Sequence, residues 1–408
     1  MKIKTLFLAL LLSVCLCSPT WAATTVVNCS SAATVQTALA NASSGSTVTC
    51  TGSGWSGAVS IPDGKNITLD GGGVSVSGTL SIPSSATYQA RVTNFTFTGN
   101  YHAIGTGDGY TNKPWRMDHC TFTGSRAVMI TGSGPGLIDH MTATNMASYQ
   151  QMIEPLYEGP DSNAGWTNSY TPGSANAIYI EDSTFSHSGS IWDGSCVFQQ
   201  YYGARVVARK NTLNAVMYEV HGSPGAIGGR WWEFYNNTFT NAAICIRAGS
   251  GIVFNNIGAT EFFVMLEEDS GYPALYQVGR GKNQTLYPAY VWGNTATPSL
   301  NLGGACSAAS PNMVRLNRDV YYPSSGTTLP ETCTVGQGYW KTDAGANWDT
   351  TNGPANDGAL YKCTSANHWG LYYTPYTYPY PLTAEGFPNP NGADTTPPRA
   401  PTGLRITP

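Results

Sequence analysis

One short phrase recurs between Arg91 and Gly258: an apolar residue, several polar ones, then Thr and a hydrophobe. Its copies read RVTNFTF, RMDHCTF, LIDHMTA, YIEDSTF, VARKNTL and EFYNNTF, with a weaker seventh, VFNNIG. With each Thr as zero point, the intervals are 25, 21, 42, 28 and 26 residues from Thr96 through Thr121, Thr142, Thr184 and Thr212 to Thr238. Strand-like units at such a period predict a solenoid rather than a closed sheet or a helical bundle. Four residues before the zero point stand Val92, Met117, Ile138, Ile180, Ala208, Phe234 and Phe254; one after it stand Phe97, Phe122, Ala143, Phe185, Leu213 and Phe239. Alternation around these columns has period 2, so each copy supplies short strands that pair with the next copy about 4.8 Å along an axis. The predicted fold is all-β, a parallel β-helix with those columns as inward stacks. Asn211 and Asn237 at the turn give a two-member side-chain amide ladder.

Met1 to Ala22 reads as a secretory signal: Lys2 and Lys4, an apolar run from Leu6 to Cys17, then Thr20-Trp21-Ala22. Without it 18 basic residues face 24 acidic ones, which disfavours nucleic acid as a partner, and no other run is long enough to insert in a membrane. Eight cysteines remain, an even number that suits an oxidising compartment. Proximity favours Cys29 with Cys50 and Cys333 with Cys363, leaves Cys120 as a candidate buried thiol, and the lack of a CxxC pair argues against zinc.

Residues 23–90 read as an N-terminal cap and first rungs, with a short amphipathic helix at Thr34 to Ala42 covering the open end of the solenoid. The helix, the VTC and NITLDGGG strands and the repeated xNxTF turn resemble the entry of the pectin-lyase-like superfamily, over about Val26 to Gly258. The resemblance implies a right-handed β-helix that acts on polysaccharide. It carries over no catalytic residue, because neither the calcium-site or arginine-base motif of pectate lyases nor the paired-aspartate motif of the hydrolases is present. The β-helix is expected over 91–300, a Cys- and aromatic-rich region that includes a small disulfide-tied hairpin over 301–390, and a Pro-rich tail over 391–408. The long interval at Asn145 to Ala177, which holds Tyr157 and Trp166, reads as a loop draped over one face. The aromatic residues after Gly336 either stack on sugars or pack on the solenoid wall.

Counting eight residues from the hydrophobe after each Thr gives Gly105, Ile130, Asp193, His221 and Arg247 as one outward column; Glu219 points the same way. The residues just before them, Ile104, Met129, Trp192, Val220 and Ile246, form the inward partner column. Two chemistries suit this set. For β-elimination on a uronate polymer, Arg247 with Arg205 or Arg230 holds the carboxylate and His221 is the base. For hydrolysis, Asp193 and Glu219 are the carboxylate pair. Tyr157 and Trp166 are further candidate substrate contacts. A second polar column holds Asp118, Asp139 and Glu181, with His119, His140 and Asp182 beside it; its acids are candidate Ca²⁺ ligands or a solvated turn capped by Arg209 and Lys210. The expected partner is an extracellular polysaccharide, bound by a monomer or a trimer; the alternative is a non-catalytic glycan-binding or surface protein.

Overall fold

The computed structural model describes residues 23–389 apart from 84–87, 99–102, 107–113, 124–127, 132–134, 145–150, 157–163, 223–226, 267–276, 297, 301–313, 346, 354–355 and 384. The signal segment and the Pro-rich tail lie outside the described residues. Each rung passes through three parallel sheets in turn: a first sheet of 12 strands, a second of 8 and a third of 10. The chain is therefore the parallel β-helix that the repeat predicts.

The inward columns pair in the expected register. Val92, Met117, Ile138, Ile180, Ala208 and Phe234 follow one another across the first sheet, and Phe97, Phe122, Ala143, Phe185, Leu213 and Phe239 across the second. All are buried. The seventh copy departs by one residue: Val253, not Phe254, follows Phe234, and Phe254 follows Tyr235 on the outer face. The cause is the missing Thr: Ile257 pairs with Thr238, so Val253-Phe254-Asn255-Asn256 matches Phe234-Tyr235-Asn236-Asn237 residue for residue, and Asn256 takes the ladder position. The ladder therefore has four members. Asn211 Nδ2 donates to Asn237 Oδ1 at 3.1 Å, Asn237 to Asn256 at 2.9 Å, and Asn256 to Asn294 at 2.8 Å.

Between the first two sheets every rung turns through a left-handed residue. Asn94, His119, His140, Asp182, Lys210, Asn236 and Asn255 hold φ of 50° to 60°. Short polar side chains tolerate that region better than branched ones, which explains much of the polar character of this column.

The helix Ala32–Asn41 buries Val35 and Leu39, with Ser31 accepting from the Thr34 amide at 3.3 Å as its cap. It covers the N-terminal end of the solenoid core, as expected. At the other end the first sheet runs on to Val320–Tyr321, beyond the predicted limit at residue 300. The predicted hairpin is a four-stranded sheet, Ser324–Gly326, Gly338–Lys341, Ala359–Ser365 and His368–Tyr373. Cys333–Cys363 ties it, Cys29–Cys50 ties the N-terminal rung, and Cys245 is disulfide-bonded as well. Cys120 and Cys196 are free buried thiols.

The aromatic C-terminal region lies on the outer wall of the first sheet. Trp340, Trp348, Tyr373, Tyr376, Tyr378 and Tyr380 share one buried cluster with Tyr179, Trp231, Tyr235, Phe254, Tyr290 and Trp292. Polar contacts fix its register: Tyr373 donates to Glu233 at 2.7 Å, Tyr378 to Asp182 at 2.7 Å, and the Tyr380 amide to Glu181 at 3.1 Å. Of the two uses open to these rings, packing on the wall is the one observed. No helix among the described residues is long and apolar enough to cross a membrane.

Candidate functional site

The interval from Asn145 to Ala177 is only in part the loop expected from sequence. Gln151–Leu156 is a strand of the third sheet, and a short helix, Ala164–Thr167, follows. Tyr157 lies outside the described residues. Trp166 is buried, with its indole donating to the Gly228 carbonyl at 3.0 Å, so it is a packing residue and not an exposed sugar platform.

The outward column on the third sheet holds for two of its three polar members. Val220 pairs with Ile246, which sets His221 and Arg247 side by side just past their strand ends. Asp193 does not join them. Nine residues link Thr184–Ser186 to the strand Cys196–Gln200 by way of a 3-10 turn at Ile191–Asp193, whereas the next rung makes the same connection almost directly. Counting from Thr184 therefore stops short. The residue in register with Val220 is Gln200, so Tyr201 occupies the position assigned to Asp193, and Trp192 is exposed instead of inward. Asp193 caps its own turn, accepting from the Ser190 amide at 3.0 Å, and faces His187 Nε2 at 3.4 Å. The proposed carboxylate pair of Asp193 and Glu219 does not sit in one register column.

A compact cluster forms around Glu219 on the outer face of this sheet. Gln199 Nε2 donates to its Oε2 at 2.6 Å, the Cys196 thiol lies 3.5 Å from the same oxygen, and Arg247 Nη2 donates to Oε1. His221 Nδ1 meets three groups: Glu219 Oε1 at 3.2 Å, Gln199 Nε2 at 3.1 Å and Arg247 Nη2 at 2.6 Å. Tyr201 packs over the imidazole with centroids 4.4 Å apart. Burial alone pushes the Glu219 carboxyl up, but the imidazole and guanidinium beside it outweigh this and hold it at about 2. It is a fixed anion at neutral pH and no general acid. Burial, and then the charges of Glu219 and Glu154, push the Tyr201 phenol up and keep it neutral.

His221 Nδ1 faces two donors, Arg247 Nη2 and Gln199 Nε2, and one acceptor, Glu219 Oε1, so its role follows the ring's tautomer. With the proton on Nε2 it accepts from Arg247, and with the proton on Nδ1 it donates to Glu219. Gln199 and Tyr201 went unnoticed in the sequence because their strand was located from the wrong end of an insertion.

Arg205 and Arg230 belong elsewhere. Arg205 opens a strand of the first sheet and Arg230 directly precedes another; both are buried beneath aromatic rings. The acids assigned to calcium are likewise engaged. Asp118 accepts from Arg91 at 2.8 and 2.7 Å and from Thr93 at 2.9 Å. Asp139 accepts from Arg116 at 2.8 and 2.6 Å, Glu181 from Arg209 Nε at 2.8 Å, and Asp182 from Tyr378. His119 and His140 stack at 4.7 Å, with Nδ1 of each 2.8 Å from its neighbouring aspartate. A calcium ion would have to displace guanidinium groups, so the donor set does not fit one; among the described residues no three His, Cys, Asp or Glu side chains converge on a metal-sized space. Arginines do the neutralising that the acid column requires.

No protein-family model matches the chain, and no curated protein or solved structure matches it either.

Proposed function

We propose that the outer face of the third sheet binds an acidic extracellular polysaccharide and cleaves it by β-elimination at the Glu219, His221 and Arg247 cluster. The observation that carries this reading is the contact of Arg247 Nη2 with both Glu219 and His221 Nδ1. A uronate carboxylate is a stronger acceptor for Arg247 than an imidazole nitrogen. Once Arg247 turns to that carboxylate, Nδ1 is released to donate to Glu219 Oε1, and Nε2 loses its proton to become a base held by an anion. Substrate charge thus converts His221 from donor to base: Nε2 takes the proton beside the carboxylate, the carbon–carbon double bond forms as the adjacent carbon–oxygen glycosidic bond breaks, and the leaving oxygen takes a proton from water. The disulfides suit an oxidising, extracellular setting.

A non-catalytic glycan-binding role is the second reading, favoured by an exposed aromatic pair on the same side of the molecule. Trp192 and Phe263 have centroids 5.7 Å apart and are exposed by 42% and 36%. Phe263 lies in the row of Ala243, two residues along the strand from the Cys245 partner of Glu219. Rings so placed stack on sugars without any chemistry.

The product separates the readings. Incubation with uronate polymers should raise the ultraviolet absorbance of a carbon–carbon double bond conjugated to the carboxylate, and His221→Ala should abolish the rise while leaving the circular dichroism unchanged. Retarded migration in gels containing polysaccharide, sensitive to Trp192→Ala and without any new absorbance, would establish the binding role instead.

A further inference from the structure

A second charged group lies on the first sheet, where the His221 cluster makes no use of it. Arg205 pairs in register with Trp231, and Arg230 is the residue before Trp231, so two guanidinium groups stand on neighbouring rungs. Both are almost fully buried, at 2% and 4% exposure. Aromatic rings enclose them. The Arg205 guanidinium carbon is 4.8 Å from the Tyr170 centroid, and that of Arg230 is 5.5 Å from Trp166 and 5.6 Å from Tyr287. The turn Lys282–Gln284 packs on the helix Ala164–Thr167, and Lys282 Nζ lies 3.4 Å from Ser169 Oγ, adding a third positive charge beside the cage.

Ring faces attract a cation but accept nothing from its in-plane N–H groups. Arg230 Nε and Nη1 have no acceptor among the described residues. The neighbouring carboxylate, Glu233, is committed to other donors: Trp231 Nε1 at 2.8 Å, the Gly173 amide at 2.9 Å, Tyr170 at 3.3 Å and Tyr373 at 2.7 Å. Burial pushes Arg230 down to about 10, the charge of Arg205 adding to it against the neighbouring Tyr287. A buried cation is kept only where an anion or a full set of acceptors meets it.

We propose that the Arg230 cage is an oxyanion site, in which a carboxylate or sulfate accepts from the in-plane N–H groups of Arg230 with Arg205 as the second positive charge. The anion is either free in solution or carried by an acidic sugar. This site lies on a different sheet from the His221 cluster and does not depend on the reading given to that cluster.

The test is thermal unfolding of the full chain and of Arg230→Met at constant ionic strength, in chloride, in sulfate and with an oligouronide in chloride. Exchanging an unpaired buried charge for an apolar side chain of similar length should leave Arg230→Met at least as stable as wild type in chloride. Sulfate should raise the wild-type melting temperature by a few degrees and leave the variant unmoved. A shift with sulfate points to a free anion, and a shift with oligouronide alone points to a sugar-borne carboxylate; both support the site. A wild type that neither ligand shifts, or a variant that gains equally, overturns it. Tryptophan fluorescence of the wild type gives a readout that needs no variant, because Trp166 faces Arg230. A saturable change with sulfate is expected, and a flat titration contradicts the proposal.

Discussion

Asn237 is the most heavily committed side chain of the turn ladder, and its removal tests what holds the rungs in register. Its Oδ1 accepts from the Asn211 amide at 3.0 Å, from Asn211 Nδ2 at 3.1 Å and from Tyr218 at 3.1 Å. Its Nδ2 donates to the Ala208 carbonyl at 2.9 Å and to Asn256 Oδ1 at 2.9 Å. Truncation to Ala leaves two donors without acceptors in a dry interior, the Asn211 amide and the Tyr218 hydroxyl, since Asn211 Nδ2 keeps the Ile180 carbonyl. Each orphaned group costs about 1–3 kcal/mol, so Asn237→Ala should destabilise the chain by roughly 2–6 kcal/mol. Urea unfolding followed by tryptophan fluorescence measures this, with Asn214→Ala as the exposed control, expected within about 0.5 kcal/mol of wild type. A loss below about 1 kcal/mol for Asn237→Ala would refute the view that the amide ladder fixes the register.

Two further outcomes follow from the charged groups. Arg116 spans Asp118 at 3.3 Å and Asp139 at 2.6 Å, so Arg116→Met should cost about 3–5 kcal/mol by leaving Asp139 buried without its partner, equally in calcium and in chelator; rescue by calcium would restore the metal reading of the acid column. The carboxyl of Glu219 is held at about 2 against an ordinary 4.5, so the stabilisation it gives is complete above pH of about 5 and fades as pH falls toward about 2. The stability gap between wild type and Glu219→Gln should narrow by about 3 kcal/mol over that range, and a pH-independent gap would contradict the assignment.

Much of the fold was readable because the repeat has one period and one turn conformation. A left-handed residue followed one or two positions later by a small polar one leaves a signature in every rung, and the inward columns come with it. What failed did so at insertions and substitutions that the period does not encode. Ile257 stands where the other copies have Thr, so the seventh copy is aligned one residue late and Asn256 is missed, and the added turn at Ile191–Asp193 together with the bulge between Cys196 and Phe198 displaces the strand count by eight residues, from Asp193 to Tyr201. The polar face at His221 and Arg247 was legible because no insertion separates their rungs. The partners of the acid column were not, because Arg91 and Arg116 stand on alternate positions of the preceding strands and reach across rungs, a relation visible only once the strands are stacked. Nor does composition say whether a tyrosine faces a sugar or a wall; Tyr376, Tyr378 and Tyr380 are settled by the Glu181, Asp182 and Arg209 contacts beneath them.

The central claim is that His221 answers to Arg247 and that a bound uronate exchanges its tautomer. Nitrogen NMR of the chain carrying isotope-labelled histidine, with the His221 signals assigned by their loss in His221→Ala, reads the two ring nitrogens separately. The account predicts a proton on Nε2 in the free protein and its transfer to Nδ1 on addition of an oligouronide. A ring already protonated on Nδ1, or one that the sugar leaves unchanged, would contradict it.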